Sequence, residues 1–197
     1  NTVTPIASLS ETLLKFDGVD GEIRNGLDTI SQSSRSLIKF VDSYRNLTRV
    51  ASPVKKAFFV RELAERVINL TKEQALMAGA VCTYTEKSED ILLYADEGQI
   101  TQILINLVKN AIQAGARNVG ISADINLSEQ IIINVSNDGR PISKESQEEI
   151  FVPFFTTKQE GTGIGLSLSR QIMRMHNGTL SLTQSDEKGT VFTLLFK

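Results

Sequence analysis

Gln102-Ile103-Leu104-Ile105-Asn106-Leu107-Val108-Lys109-Asn110-Ala111 sets the frame for the rest of the chain. The stretch belongs to a segment, 97–114, whose apolar spacing is that of a helix. At 100° per residue, Gln102, Asn106, Asn110 and Gln113 fall within about 80° of one another. Ile103, Leu104, Leu107 and Ala111 form the adjoining apolar face. Asparagine is a poor helix former, so two asparagines one turn apart, beside the buried face, point to a task. A carboxamide oxygen is a neutral, hard ligand of the kind that suits Mg²⁺ bridging phosphates. The competing reading is a solvated helix face.

Downstream, Ile131, Ile133 and Val135 alternate as a strand that ends at Ser136-Asn137-Asp138-Gly139. Such a turn can present an acceptor to a ligand lying between a sheet and its helices, although Asn, Asp and Gly are also what plain turns use. A third stretch, Phe151-Val152-Pro153-Phe154-Phe155-Thr156-Thr157-Lys158-Gln159-Glu160, runs into Gly161-Thr162-Gly163-Ile164-Gly165-Leu166. Alternating glycines let backbone N–H groups approach an anion closely. They lead into a helix N-terminus, which favours phosphate. Lys158 and Thr156 or Thr157 are within reach of phosphates held there, and the phenylalanines would anchor the segment. The spacing is neither G-x-G-x-x-G nor a Walker A motif. The plain alternative is a flexible loop with core aromatics.

Outward from these stretches, the remainder of 54–197 mixes helical and strand periods. Residues 59–75 and about 164–175 read as helices, the latter stopping at Asn177-Gly178. Strands are expected at Val81 to Thr85, Ile91 to Tyr94, Val119 to Ile125, Leu180 to Leu182 and Phe192 to Phe196. The sum is a mostly antiparallel sheet covered on one face by helices, a two-layer α/β sandwich. Residues 1–50 differ. Ile6, Leu9, Leu13 and Phe16 space as a helix, and Asp17-Gly18-Val19-Asp20-Gly21 breaks it, with Asp20 a candidate N-cap. Ile23, Leu27, Ile30, Ser34, Leu37, Val41 and Tyr44 then keep a strict 4-3 heptad seam. The fold class expected is therefore α+β: a helical hairpin over 1–50, a linker at Ser52-Pro53, and the sandwich over 54–197. One hairpin cannot bury both of its stripes. Two can, as half-bundles of a dimeric four-helix bundle, unless the seam packs on its own chain.

Composition narrows the classes. The net charge of −2 over 197 residues gives no reason to expect nucleic acid as a partner. A lone cysteine, Cys82, excludes an internal disulfide and fits a reducing, cytoplasmic setting. No apolar run reaches the roughly 20 residues of a membrane span. The chain starts inside what reads as a helix, so it is expected to be part of something longer.

Taken in order, these stretches resemble the catalytic ATP-binding domain of bacterial sensor histidine kinases, relatives of gyrase-type, heat-shock-chaperone and mismatch-repair ATPases. Asn106-Leu107-x-x-Asn110-Ala111 matches the asparagine box and Ser136-Asn137-Asp138-Gly139 the first glycine box. Phe151 to Lys158 matches the phenylalanine box, and Gly161-x-Gly163-x-Gly165-Leu166 the second glycine box. The resemblance implies ATP and Mg²⁺ as cofactors, with Asn110 on the metal and Asn106 supporting it. Asn137, Asp138 and Gly139 would lie at the adenine. Lys158, Gly161, Thr162, Gly163, Ile164, Gly165 and Leu166 would lie at the phosphates. It implies a homodimer through the hairpin and a response-regulator receiver domain as partner. Asn1 matches the position that orients water for dephosphorylating the regulator. The phosphoacceptor histidine would lie four residues before Asn1. His176, the one histidine, is read as a capping or surface residue. Gyrase-type ATPases carry a water-activating glutamate where Asn106 stands, which argues against a hydrolase. Two departures from the pattern, Asn137 for the usual aspartate and Pro141 for the usual glycine, raise the alternative of a degenerate, nucleotide-independent dimeric scaffold.

Overall fold

The computed structural model describes residues 3–16, 20–48, 50–88, 90–158 and 161–197. Asn1, and the break at 17–19, lie outside the described residues. The chain divides into two compact units, Asn1–Val50 and Ala51–Lys197.

The first unit pairs α1 (Val3–Leu13) with α2 (Gly21–Thr48). Where they meet, small side chains are buried: Ala7, Ser10, Ser31 and Ser34. Arg35 donates from Nε and Nη2 to Glu11 Oε1 at 2.9 and 2.7 Å across the pair. The heptad seam of α2 splits into two rows. Leu27, Ser34 and Val41, seven residues apart, are at least partly covered. Ile23, Ile30 and Leu37, also seven apart, stay 58%, 46% and 47% exposed. Seven residues return a side chain to nearly the same face, so each row holds its own side of the helix.

The second unit runs β1 (Lys56–Phe59), α3 (Val60–Met77), β2 (Val81–Glu86), β3 (Leu92–Ala95), α4 (Glu97–Gln113), β4 (Asn118–Ile125), β5 (Ile131–Asn137), α5 (Lys144–Glu149), α6 (Gly165–Met175), β6 (Thr179–Asp186) and β7 (Gly189–Phe196). The main sheet has the order β2-β4-β5-β7-β6, and β1 and β3 form a separate ribbon. All neighbours in the main sheet are antiparallel except β2 and β4. That parallel pair is joined through β3 and α4, the long crossover such a pair needs. One face is dry. Val119, Ile121, Ile133, Val135, Phe192 and Leu194 pack under Leu63 and Val67 of α3, Ile103, Leu104 and Leu107 of α4, and Ile172 and Met173 of α6, all buried. The other face is wet, with a ladder of hydrogen bonds from Thr183 through Thr193 to Asn134. The result is the two-layer sandwich of an α+β fold.

Two elements carry no signal in the sequence. β1 runs straight into α3, whose N-cap, Phe59, makes no side-chain cap bond. α5 spans six residues, none of them buried.

Candidate functional site

α4 is fixed at its N-terminus by Asp96. The carboxylate accepts from Gln99 N at 3.0 Å and from Val54 N at 2.8 Å. Burial acts to raise this carboxyl's pKa, but the N–H donors of Gln99, Val54 and Gly98 outweigh it and hold the group low. His176, at the C-cap of α6, reaches the same point. Its Nε2 accepts from Asp96 N at 3.0 Å and its Nδ1 lies 2.8 Å from Ile172 O. One ring nitrogen must therefore be bare and the other protonated. The ring is buried, so the surface alternative for His176 is corrected: it is an internal tie between two helix ends.

The other ends of those helices open on a cleft of about 730 Å³. Asn106, Asn110 and Gln113 of α4 line it together with Asn137, Pro141, Thr156, Thr157, Lys158, Gly161, Thr162, Gly163, Gly165 and Leu166. The helical period alone brings the three amides to one wall. Asn106 Nδ2 donates to Ser169 Oγ at 3.1 Å, and that hydroxyl donates to Gly165 O at 2.8 Å. The backbone at Gly165 passes so close that any Cβ there would run into the Asn106 side chain. Gly163 has φ +66° and receives Phe154 N–H on its carbonyl at 2.9 Å. A side chain there would meet both a left-handed backbone and the Phe154 main chain. The N-cap of α6, Ile164, makes no side-chain cap bond, so the first N–H groups of the helix remain available to an anion.

Lys158 Nζ donates to Asn110 Oδ1 at 3.0 Å and to Gln113 Oε1 at 2.5 Å. Partial desolvation by the cleft wall holds its ammonium below the usual lysine range. At the far end, Asn137 Oδ1 accepts from Gly139 N at 3.1 Å, and Asn137 Nδ2 points to Thr190 O at 3.4 Å. Asp138 turns the other way. Its carboxylate accepts from Arg117 N at 2.7 Å, Asn118 N at 2.9 Å and Asn118 Nδ2 at 2.7 Å. These bonds, Asn118's first, pull its pKa down. Asp138 pins the start of β4 and is outside the cleft lining. Gly139 packs against Ala114, and Ile164 is buried beneath the loop.

Nine of the residues chosen from sequence thus line one cleft: Asn106, Asn110, Asn137, Lys158, Gly161, Thr162, Gly163, Gly165 and Leu166. Asp138, Gly139 and Ile164 do not. Lys109 and Arg140 line it unforeseen. Among the described lining residues the ionisable side chains are Lys109, Arg140 and Lys158, all cationic, with no carboxylate. Such a lining fits a polyanion. Its neutral amide oxygens, already turned to a lysine ammonium, fit a hard cation that arrives with that anion. No group of three or more His, Cys, Asp or Glu suited to hold a metal occurs among the described residues.

The family profile described as "Histidine kinase-, DNA gyrase B-, and HSP90-like ATPase" matches residues 95–197. The solved catalytic domain of histidine kinase ThkA is 36% identical, with a TM-score of 0.65 over 72% of this chain and 94% of that one. This chain belongs to the sensor histidine kinases of that ATPase family. Sensor histidine kinase ZraS of Salmonella typhi is 28% identical over 98% of this chain and 42% of its own length. Sporulation kinase A of Bacillus subtilis is 31% identical over 73% of this chain and 24% of its own. The chain therefore spans under half the length of the curated kinases it matches. ThkA in complex with response regulator TrrA is 28% identical, with a TM-score of 0.72 over 100% of this chain and 57% of that one. The family's ATP-binding fold covers the cleft, since residues 95–197 include every lining side chain.

Proposed function

We propose that this chain binds Mg-ATP in the cleft and, in the full protein, passes the γ-phosphoryl group to a histidine outside this sequence and then to an aspartate of a response-regulator receiver domain. The observation that carries the reading is the lining itself: nine sequence-chosen residues, Lys158 among them, with Lys109 and Arg140 around one cavity, and no carboxylate among the described lining residues. Asn110 Oδ1 holds the metal, and Asn106 supports it. Mg²⁺ supplies charge neutralisation across the phosphates. Lys158 and the N–H groups at Gly161 to Gly165 hold the phosphates, while Asn137 faces the base. Asp138 is committed to β4 and drops out of the adenine contact. Asn106 has no basic lone pair with which to take a proton from water, so the site binds and positions rather than hydrolyses. Positioning is most of what phosphoryl transfer asks of a protein.

The exposed row on α2 is the seam of a homodimer, and the kinase portion works in the cytoplasm. Among the described residues no helix is long and apolar enough to cross a membrane. Titration with a non-hydrolysable ATP analogue and Mg²⁺ tests the reading. Saturable binding is expected, together with no acid-labile label from γ-labelled ATP, because His176 is buried with both ring nitrogens engaged. Absence of nucleotide uptake would move the assignment to a dimeric scaffold. Steady turnover by this chain alone would move it to a hydrolase.

A further inference from the structure

Gln113 is the last residue of α4, one turn beyond Asn110. Its Oε1 and Asn110 Oδ1 converge on a single ammonium, that of Lys158, at 2.5 and 3.0 Å. An ammonium offers three donors and no lone pair, so both amides turn their oxygens to it. Lys158 is the one charged side chain in 151–158, on a flexible four-carbon stem that samples many rotamers unless something holds it. Asn110 cannot hold it once a divalent cation takes the same oxygen. Gln113 can, because its oxygen lies a turn away and stays free.

We propose that Gln113 is a positioning residue: it seats the Lys158 ammonium at the phosphate end of the cleft and leaves the Asn110 oxygen to the metal when nucleotide enters. The inference rests on reading the cleft as a nucleotide site. It concerns a side chain that touches neither the base nor the metal and acts through Lys158.

The test is a double-mutant cycle on the whole 197-residue chain, read by calorimetric titration with a non-hydrolysable ATP analogue and Mg²⁺. Gln113→Leu and Lys158→Met should each weaken binding roughly ten- to a hundredfold, about what a hydrogen bond to a charged group contributes. The combined variant should bind no more weakly than Lys158→Met alone, because both changes remove one interaction. Exchanging the pair, Gln113→Lys with Lys158→Gln, should bring affinity back to within about twofold of the unmodified chain. Gln113 is exposed at a helix end, so these variants should melt with the unmodified protein. Losses that multiply in the combined variant, or an exchange that recovers nothing, overturn the role given to Gln113. An unmodified chain that takes up no nucleotide overturns the function proposed for the cleft instead.

Discussion

Asn137 and Asp138 are neighbours of similar size, and the structure gives them opposite work. Residue-level reading of the turn could not separate them, since Asn and Asp are both ordinary turn residues. The strand before them could have. Ile133 and Val135 point to the helices, and a period of two carries Asn137 to that side and Asp138 to the other. The consequence is testable. An amide presents both an oxygen and an NH₂, so in the base-facing role proposed for it Asn137 should meet a 6-amino or a 6-oxo purine without strong preference. Asn137→Asp should raise the ratio of ATP to GTP affinity about tenfold by adding a charge-assisted bond to the amino group. The gain in ATP affinity itself should be smaller, because the second carboxylate oxygen then faces Thr190 O, where Nδ2 now stands 3.4 Å away. Competition titrations with both nucleotides measure this, and an unchanged ratio would remove Asn137 from the base. Asp138→Asn should leave nucleotide affinity alone and alter acid stability. The Asp138 carboxyl is held below its ordinary pKa in the folded protein. Its stabilising contribution is therefore complete above the unfolded value of about 3.9, and is lost as pH falls through the lower folded value. The variant should melt lower at neutral pH and lose less than the parent on acidification below about pH 4.

At the scale of elements, periodicity revealed α4 and its amide stripe, because burial of Ile103, Leu104 and Leu107 leaves only one neighbouring face for Asn106, Asn110 and Gln113. It did not reveal the partner of that stripe. Lys158 is 45 residues from Gln113 and 48 from Asn110, and no local rule links a loop lysine to a helix amide at such separation. The capping role read for His176 holds, since it is the C-cap of α6, but its burial and its bond to Asp96 N were hidden for the same reason, as that bond spans 80 residues. Among the described residues of the loop 151–163, ties to the rest of the unit include the Phe151 ring against Phe192 and under the Arg170 guanidinium, 3.7 Å from the ring centre, Val152 N to Glu149 O, and Lys158 to α4, while Phe154 N bonds Gly163 O within the loop. Exchange of ligand requires such a segment to open. Amide hydrogen exchange across 152–163 should be fast in the free chain and slow with Mg²⁺ and an ATP analogue. Gly163→Ala should destabilise the free chain by about 1 kcal/mol or more, the cost of a left-handed backbone at a residue with a Cβ, read as a lower melting temperature. Equal exchange in both states would deny the segment a closing role.

For the molecule as a whole, the two units differ in what holds them. The unit 51–197 has a contiguous core of three helices on a five-stranded sheet. Among the described residues, the hairpin buries chiefly Ala7, Ser10, Ser31 and Ser34, too little apolar surface to offset the ordering of some fifty residues at about 1–2 kcal/mol each. In the homodimer proposed above, a second copy of the same seam would bury Ile23, Ile30 and Leu37 symmetrically and supply the missing stability. The 4-3 repeat made the apolar seam of α2 legible from sequence. The split into a covered and an exposed row was not legible, because a heptad pattern does not say which row faces the chain's own α1. Leu37→Glu would place an unpaired carboxylate in the dimer seam, a penalty of several kcal/mol. Sedimentation should then report a monomer where the parent is a dimer, and circular dichroism should show helix lost in proportion to the hairpin. The affinity for an ATP analogue should stay unchanged, because every lining residue of the cleft belongs to the second unit. A parent chain that is monomeric at roughly 50 μM, far above the Kd of a stable homodimer, would show that the exposed row on α2 is covered by something other than a second copy.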